Sequence, residues 1–227
     1  MKQPPKNRRY SLHNFNVIQN ACEMAQTHHK FFAIVGKPGS GKTVGLEYYK
    51  NSNPYQVKYI RVRQSMGIKD FFYGLQNLYN LDKRRNIHRF MNWLESYYQE
   101  LDESHLLIID EGGKFKYDQY SFIHELRDLT HDKLGIVLSG PGYYLDKIES
   151  WNSRSLEGVP EFYRRLNMII KMDDLTRDEI ISVCKDHSVT NKSVLKEHFF
   201  NLKTIGDLIN ALHNYLFYGN GLNALDD

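Results

Sequence analysis

Gly36-Lys37-Pro38-Gly39-Ser40-Gly41-Lys42-Thr43 is the stretch on which the fold turns. Before it runs the apolar segment Phe31-Phe32-Ala33-Ile34-Val35, and after it the helix-compatible Val44-Gly45-Leu46-Glu47-Tyr48-Tyr49. A buried strand, a G-x-x-x-x-G-K-T turn and a helix in that order predict a phosphate loop. Its glycines carry no Cβ, so backbone N–H groups can close around a polyphosphate. The N-terminus of the following helix adds positive potential. The candidate binding residues are Gly36, Pro38, Gly39, Ser40, Gly41, Lys42, Thr43 and Val44. Lys42 is expected to reach the β- and γ-phosphates, and the Thr43 hydroxyl to hold Mg²⁺.

With 227 residues the chain has room for one large domain with a small appendage, and for a sizeable core. A net charge of +3 excludes a globally basic nucleic-acid binder and leaves only local patches. The two cysteines, Cys22 and Cys184, lie far apart among apolar helical positions and read as buried thiols. No apolar run approaches the roughly 20 residues that span a bilayer. The charged N-terminus has no apolar segment behind it, so a soluble, cytoplasmic protein without a membrane partner is expected.

Residues 1–10 read as a basic arm, because Pro4 and Pro5 oppose a helix. Ser11 is placed to cap a helix whose apolar face is Phe15, Ile18, Cys22 and Ala25. Strands are expected at 31–35, 57–62, 106–109, 135–138 and 168–172, with amphipathic helices between them. Ser65 is placed to cap the helix that carries Phe71 and Phe72. Beyond Asp173-Asp174 the pattern is wholly helical, opened by a Thr176/Glu179 capping box. The reading is a three-layer α/β domain over 11–172, with a parallel sheet, followed by a helical lid over 173–227.

The run Leu106-Leu107-Ile108-Ile109 ends at Asp110-Glu111, where an open parallel sheet places its chemistry. Asp110 is a candidate for holding Mg²⁺ through water, and Glu111 for polarising the attacking water. Ser139 ends the next buried run and is a candidate for the γ-phosphate or that water. Arg164 and Arg165 are adjacent, so on a helix they cannot face the same way. One of them is a candidate arginine finger for a neighbouring subunit's nucleotide, the other a surface residue.

The order of phosphate loop, acidic strand end, polar strand end, late arginine and helical lid resembles the AAA+ ATPases. The leading helix and the endings Leu-Ser-Gly-Pro-Gly and Arg-Arg-Leu-Asn-Met-Ile resemble the transposition-regulator branch: the Mu B, Tn7-type and insertion-sequence helper ATPases. The resemblance implies hydrolysis of ATP with Mg²⁺. Lys42, Thr43, Asp110, Glu111, Ser139 and Arg165 then stand for Walker A, Walker B, sensor 1 and the box VII arginine. The chain departs from the pattern twice. Gly112-Gly113 follows Glu111, and Lys203 stands where the lid's sensor 2 arginine is usual.

The resemblance further implies a homo-oligomer, ring or helical filament, assembled with ATP on double-stranded DNA, and a transposase or other recombination protein as partner. The residues themselves offer Lys83, Arg84, Arg85 and Arg89 as phosphate-neutralising cations, then Lys114 and Lys116. A helicase-loader-like interaction module is the alternative. The ten histidines are scattered and make no metal site.

Overall fold

A computed structural model of the chain describes residues 10–81, 86–130 and 133–222. They divide into two compact units. The larger comprises residues 17–36 and 42–171 and is built on a five-stranded sheet. Its strands are β1 (Phe31–Val35), β2 (Val57–Arg61), β3 (His105–Asp110), β4 (Leu134–Gly140) and β5 (Met168–Lys171). They lie in the order β2-β3-β4-β1-β5, and every pairing is parallel. The helices are α1 (His13–Thr27), α2 (Lys42–Ser52), α3 (Ile68–Leu78), α4 (Ile87–Gln99), α5 (Tyr117–Thr130), α6 (Tyr143–Ser153) and α7 (Val159–Arg165). This is the three-layer α/β fold expected.

β1, β3 and β4 are buried at every residue, which is why they read as unbroken apolar runs. The core between the sheet and α3–α7 is rich in rings set edge to face. Phe71 meets Phe115 at 5.1 Å and Phe72 meets Phe90 at 5.0 Å between centroids. Cys22 is fully buried, and burial pushes its thiol well above the ordinary range. Two capping expectations move. Asn16 N–H donates to Leu12 O at 3.1 Å, so Leu12 and not Ser11 stands at the N-cap of α1. The N-cap of α3 is Gly67, whose N–H is taken by Asp70 at 3.0 Å, leaving Ser65 outside the helix.

The Gly112-Gly113 departure has a steric cause. After β3 the chain turns through a single 3₁₀ turn, Gly112–Lys114, pressed against β4 and the loop beyond it. A Cβ on Gly112 would stand 2.3 Å from Leu138 Cδ1, and one on Gly113 2.6 Å from Pro141 Cδ. Gly112→Ala is therefore expected to destabilise the protein by about 1–3 kcal/mol, the usual range for overpacking. At this size that lowers Tm by about 2–4 °C per kcal/mol. An unchanged melting curve would show that Leu138 yields freely.

The smaller unit comprises residues 10–16, 37–41 and 172–222. Its helices are α8 (Arg177–Asp186), the short α9 (Lys192–Val194) with a π-helical continuation over Leu195–Phe199, and α10 (Ile205–Leu222). Leu12, Ile180, Val183, Cys184, Leu195, Phe199, Leu208 and Leu212 form its core. The Thr176/Glu179 capping box is present. Glu179 spends its other oxygen on His13 N–H at 2.8 Å, so a residue of α8 caps α1. Burial pushes this carboxyl up, but the hydrogen bonds from Thr176 and His13 outweigh it and hold the carboxyl below its ordinary range. Residues 11–16 and 37–41, expected in the α/β domain, thus cluster with the lid helices: Leu12 packs into their core, and Gly39 bonds to α10.

Candidate nucleotide site

Within the larger unit the expected residues meet at the C-terminal ends of β3 and β4. Asp110 closes β3 and is 1% exposed. Its Oδ2 accepts from the Thr43 hydroxyl at 2.8 Å and from the Tyr59 hydroxyl at 2.8 Å. Its Oδ1 accepts from Glu111 N–H at 3.0 Å and from the Ser139 hydroxyl. Parallel register explains the meeting, since Ile109 lies beside Leu138 and the next residue of each strand is Asp110 and Ser139. A hydroxyl and a carboxylate converging at the foot of a phosphate loop are hard oxygen donors of the kind Mg²⁺ takes, with phosphate and water completing its shell. Among the described residues no group of three or more His, Cys, Asp and Glu could hold a metal by itself.

Glu111 adopts a left-handed backbone conformation, φ 62°, which few non-glycine residues accept. This turns its side chain away from a helical course and between two cations. Arg61 donates to Oε1 at 3.5 Å, and the Lys114 ammonium lies 3.2 Å from Oε2. Ser139 Oγ accepts from Glu111 N–H at 3.3 Å. Ser139, expected on the γ-phosphate or the water, here fixes Asp110 and the backbone of Glu111.

Lys42 donates to Gly36 O at 2.8 Å. Burial lowers its pKa, while Asp110 and Glu111 oppose that shift. Tyr59 and Arg61 are additions that sequence reasoning missed. They alternate on one face of β2, and Arg61 stands in register with Asp110. Burial first, then the Asp110 charge and hydrogen bond, raise the Tyr59 phenol, so it stays a donor. Val44, at the start of α2, is 56% exposed.

Within the smaller unit lies the tip of the phosphate loop. Gly39 and Gly41 have φ of 81° and 89°, a region other residues seldom occupy. Ser40 is buried and its N–H bonds to Lys37 O at 3.2 Å, closing the turn. Gly206 N–H donates to Gly39 O at 2.9 Å, and a Cβ on Gly39 would meet Thr204 Oγ1 at 2.7 Å. Lys203 pairs with Asp174 at 3.0 Å, and Lys37 takes the other oxygen of the same carboxylate at 2.5 Å. The two lysines hold that carboxyl below its ordinary range, Lys37 most strongly.

Of the two adjacent arginines, Arg165 is engaged within this chain. It makes a two-nitrogen ion pair with Asp128 and donates to Glu161 O at 2.8 Å. Arg164 is exposed, and both line a cleft with Arg127, Asp128 and Asn167. Of the expected DNA cations, Arg89 is exposed on α4, Lys116 is exposed, and Lys114 is shared with Glu111. Lys83, Arg84 and Arg85 lie outside the described residues, as does the basic arm up to residue 9. No helix among the described residues is long and apolar enough to cross a membrane.

A phosphate loop after β1, an acidic end to β3 and a polar end to β4 define a P-loop NTPase. The chain belongs to the AAA domain family, whose model matches residues 25–148, so its fold is that of an AAA+ ATPase. No curated protein sequence matches the chain. Among solved structures it is similar to a DNA replication initiation factor, at 19% identity and a TM-score of 0.57. That alignment covers 93% of this chain and 62% of the other, so the chain spans under two thirds of that protein. At such identity the likeness concerns the fold.

Proposed function

We propose that the protein binds and hydrolyses Mg·ATP and, with ATP bound, assembles on duplex DNA. The observation that carries the nucleotide half is the 2.8 Å contact between Thr43 and Asp110, which joins the two motifs into one oxygen-donor site. Mg²⁺, once held by Thr43 and Asp110, supplies charge neutralisation for the β- and γ-phosphates. Lys42 adds a fixed ammonium to the same phosphates. Tyr59 and Ser139 hold the Asp110 carboxylate in one orientation. Glu111 orients and polarises the attacking water, with its backbone N–H fixed by Asp110 and Ser139. Arg164 or Arg165 serves a neighbouring copy. The exposed position of Arg164 favours it for that role, because Arg165 would first have to leave Asp128.

The DNA half rests on Arg89, Lys114 and Lys116 together with Lys83, Arg84 and Arg85. A few phosphate contacts per subunit are weak, typically about 10⁻⁴–10⁻⁶ M at physiological salt. Repetition along an assembly raises the affinity through effective concentration. A transposase is the partner that the sequence resemblance supports. The likeness to a protein titled a DNA replication initiation factor supports the second reading, a loader-like module acting on another protein.

Fluorescence anisotropy of a labelled duplex over a salt series tests this. Binding is expected with ATP and not with ADP, with little sequence preference. Arg89→Ala with Lys116→Ala should weaken it evenly across sequences and reduce the salt slope by about 0.9 per lost contact. Binding indifferent to nucleotide would remove the assembly model. Absence of duplex binding with either nucleotide would leave the loader-like reading.

A further inference from the structure

The turn that carries Glu111 is held from both of its ends, all within the larger unit. A non-glycine residue in a left-handed conformation persists only where its surroundings over-determine it, and Glu111 is such a residue. On the entry side its N–H is taken by Asp110 and Ser139. Inside the turn, Lys114 N–H donates to Glu111 O at 3.0 Å and Phe115 N–H to Gly112 O at 3.0 Å. Two further carbonyls at the exit, those of Gly113 and Phe115, are met by a side chain from another element. The Lys147 ammonium of α6 donates to Phe115 O at 3.2 Å and to Gly113 O at 3.4 Å.

The chain order puts Lys147 within reach. β4 ends at Gly140 and α6 starts at Tyr143, so Lys147 stands one helical turn in from the strand end. Helical side chains lean toward the N-terminus of their helix, which aims this lysine back at the turn after β3. Trp151 follows on the same face of α6, its ring centroid 4.5 Å from the ammonium. Lys147 is half-buried there, and burial draws its pKa down. The turn has particular need of an outside hold. Steric pressure from Leu138 and Pro141 makes glycine the residue at 112 and 113, and glycine leaves the peptide planes on either side free to rotate. Phe115 anchors its ring edge to face against Phe71 and Tyr120, but that does not fix the carbonyls. A charged donor does, through hydrogen bonds roughly twice as strong as neutral ones.

We propose that Lys147 is a positioning residue for ATP hydrolysis: by holding the Gly113 and Phe115 carbonyls it keeps the turn wound and the Glu111 carboxylate aimed at the attacking water. Lys147 contacts the turn and Trp151, and acts on the chemistry through Glu111. When the hold is lost, Glu111 relaxes toward a right-handed backbone and its carboxylate swings away from Arg61 and Lys114. The groups that grip the phosphates, Lys42 and Thr43, stay where they are. This rests on the hydrolytic reading above, and adds to it a residue that lies in neither the phosphate loop nor a strand end.

Single-turnover hydrolysis at saturating Mg·ATP, with ATP affinity measured by titration calorimetry, tests it on the full chain. Lys147→Met keeps the length and the contact with Trp151 and removes the charge. It is expected to slow turnover about tenfold, the scale of one charge-assisted hydrogen bond, and to keep ATP affinity within about twofold of the wild type. Lys147→Arg, which keeps the charge and the donors, should restore most of the rate. Lys147→Gln, a shorter neutral donor, should fall between them. In a Glu111→Gln background Lys147→Met should cost nothing further, because residues that act as one unit are not additive. Turnover at the wild-type rate, an ATP affinity that falls by the same factor as the rate, or a full further loss beside Glu111→Gln would each overturn the proposal and leave the hydrolytic reading intact. Should Lys147→Met not fold, the other two variants decide, and an arginine variant as slow as the glutamine one overturns it. A wild-type chain that binds Mg·ATP without hydrolysing it would overturn both.

Discussion

Glu111→Gln binds Mg·ATP like the wild type and turns it over at least about a hundredfold more slowly. This is the expected result of a single-turnover assay with radiolabelled ATP, and the scale is that of lost acid–base assistance. The amide is nearly isosteric, and its oxygen can still accept from Arg61 or Lys114. The backbone hydrogen bonds from Glu111 N–H to Asp110 and Ser139 do not involve the side chain. What disappears is the charge that polarises water. Turnover at the wild-type rate would show that another group positions the nucleophile.

Lys42→Ala is expected to lose about a hundredfold or more in ATP affinity while the melting curve stays unchanged. Removing one partner of a partly buried charge contact costs about 3–5 kcal/mol, and each 1.4 kcal/mol is tenfold in affinity. The fold does not rest on Lys42, whose hydrogen bond to Gly36 O lies at the rim of the sheet and outside its core. Normal ATP binding by this variant would end the phosphate-loop assignment.

Much of this was legible in the chain itself. Three apolar runs became β1, β3 and β4 because a parallel sheet covered on both faces demands apolar residues at consecutive positions, while β2 was readable from its alternation. Lys42, Thr43, Asp110, Glu111 and Ser139 were readable because motif and strand end coincide. Tyr59 and Arg61 were not, since their nearness to Asp110 depends on which strand lies beside which and in what register. Asp174 was equally hidden: nothing local distinguishes it from Asp173, and only folding sets it between Lys37 and Lys203. The Arg165–Asp128 pair, joining α7 to α5, likewise required the tertiary structure. Ser11 and Ser65 misled because a hydroxyl near a helix start is common, while here a distant Glu179 and a local Asp70 serve those ends.

The strand order carries a consequence for biosynthesis. Of the five strands of this sheet β1 is made first, yet its sheet neighbours are β4 and β5, the last two of the five. Its partner segment beginning at Leu134 is made roughly 100 residues after Phe31, an interval of about 5–20 s at about 5–20 residues per second. Through that time Phe31-Phe32-Ala33-Ile34-Val35, apolar and uncharged, waits without either edge paired. Nascent chains halted before residue 134 should therefore engage hydrophobic-segment chaperones through residues 31–35. Chains extended past residue 171 should release them.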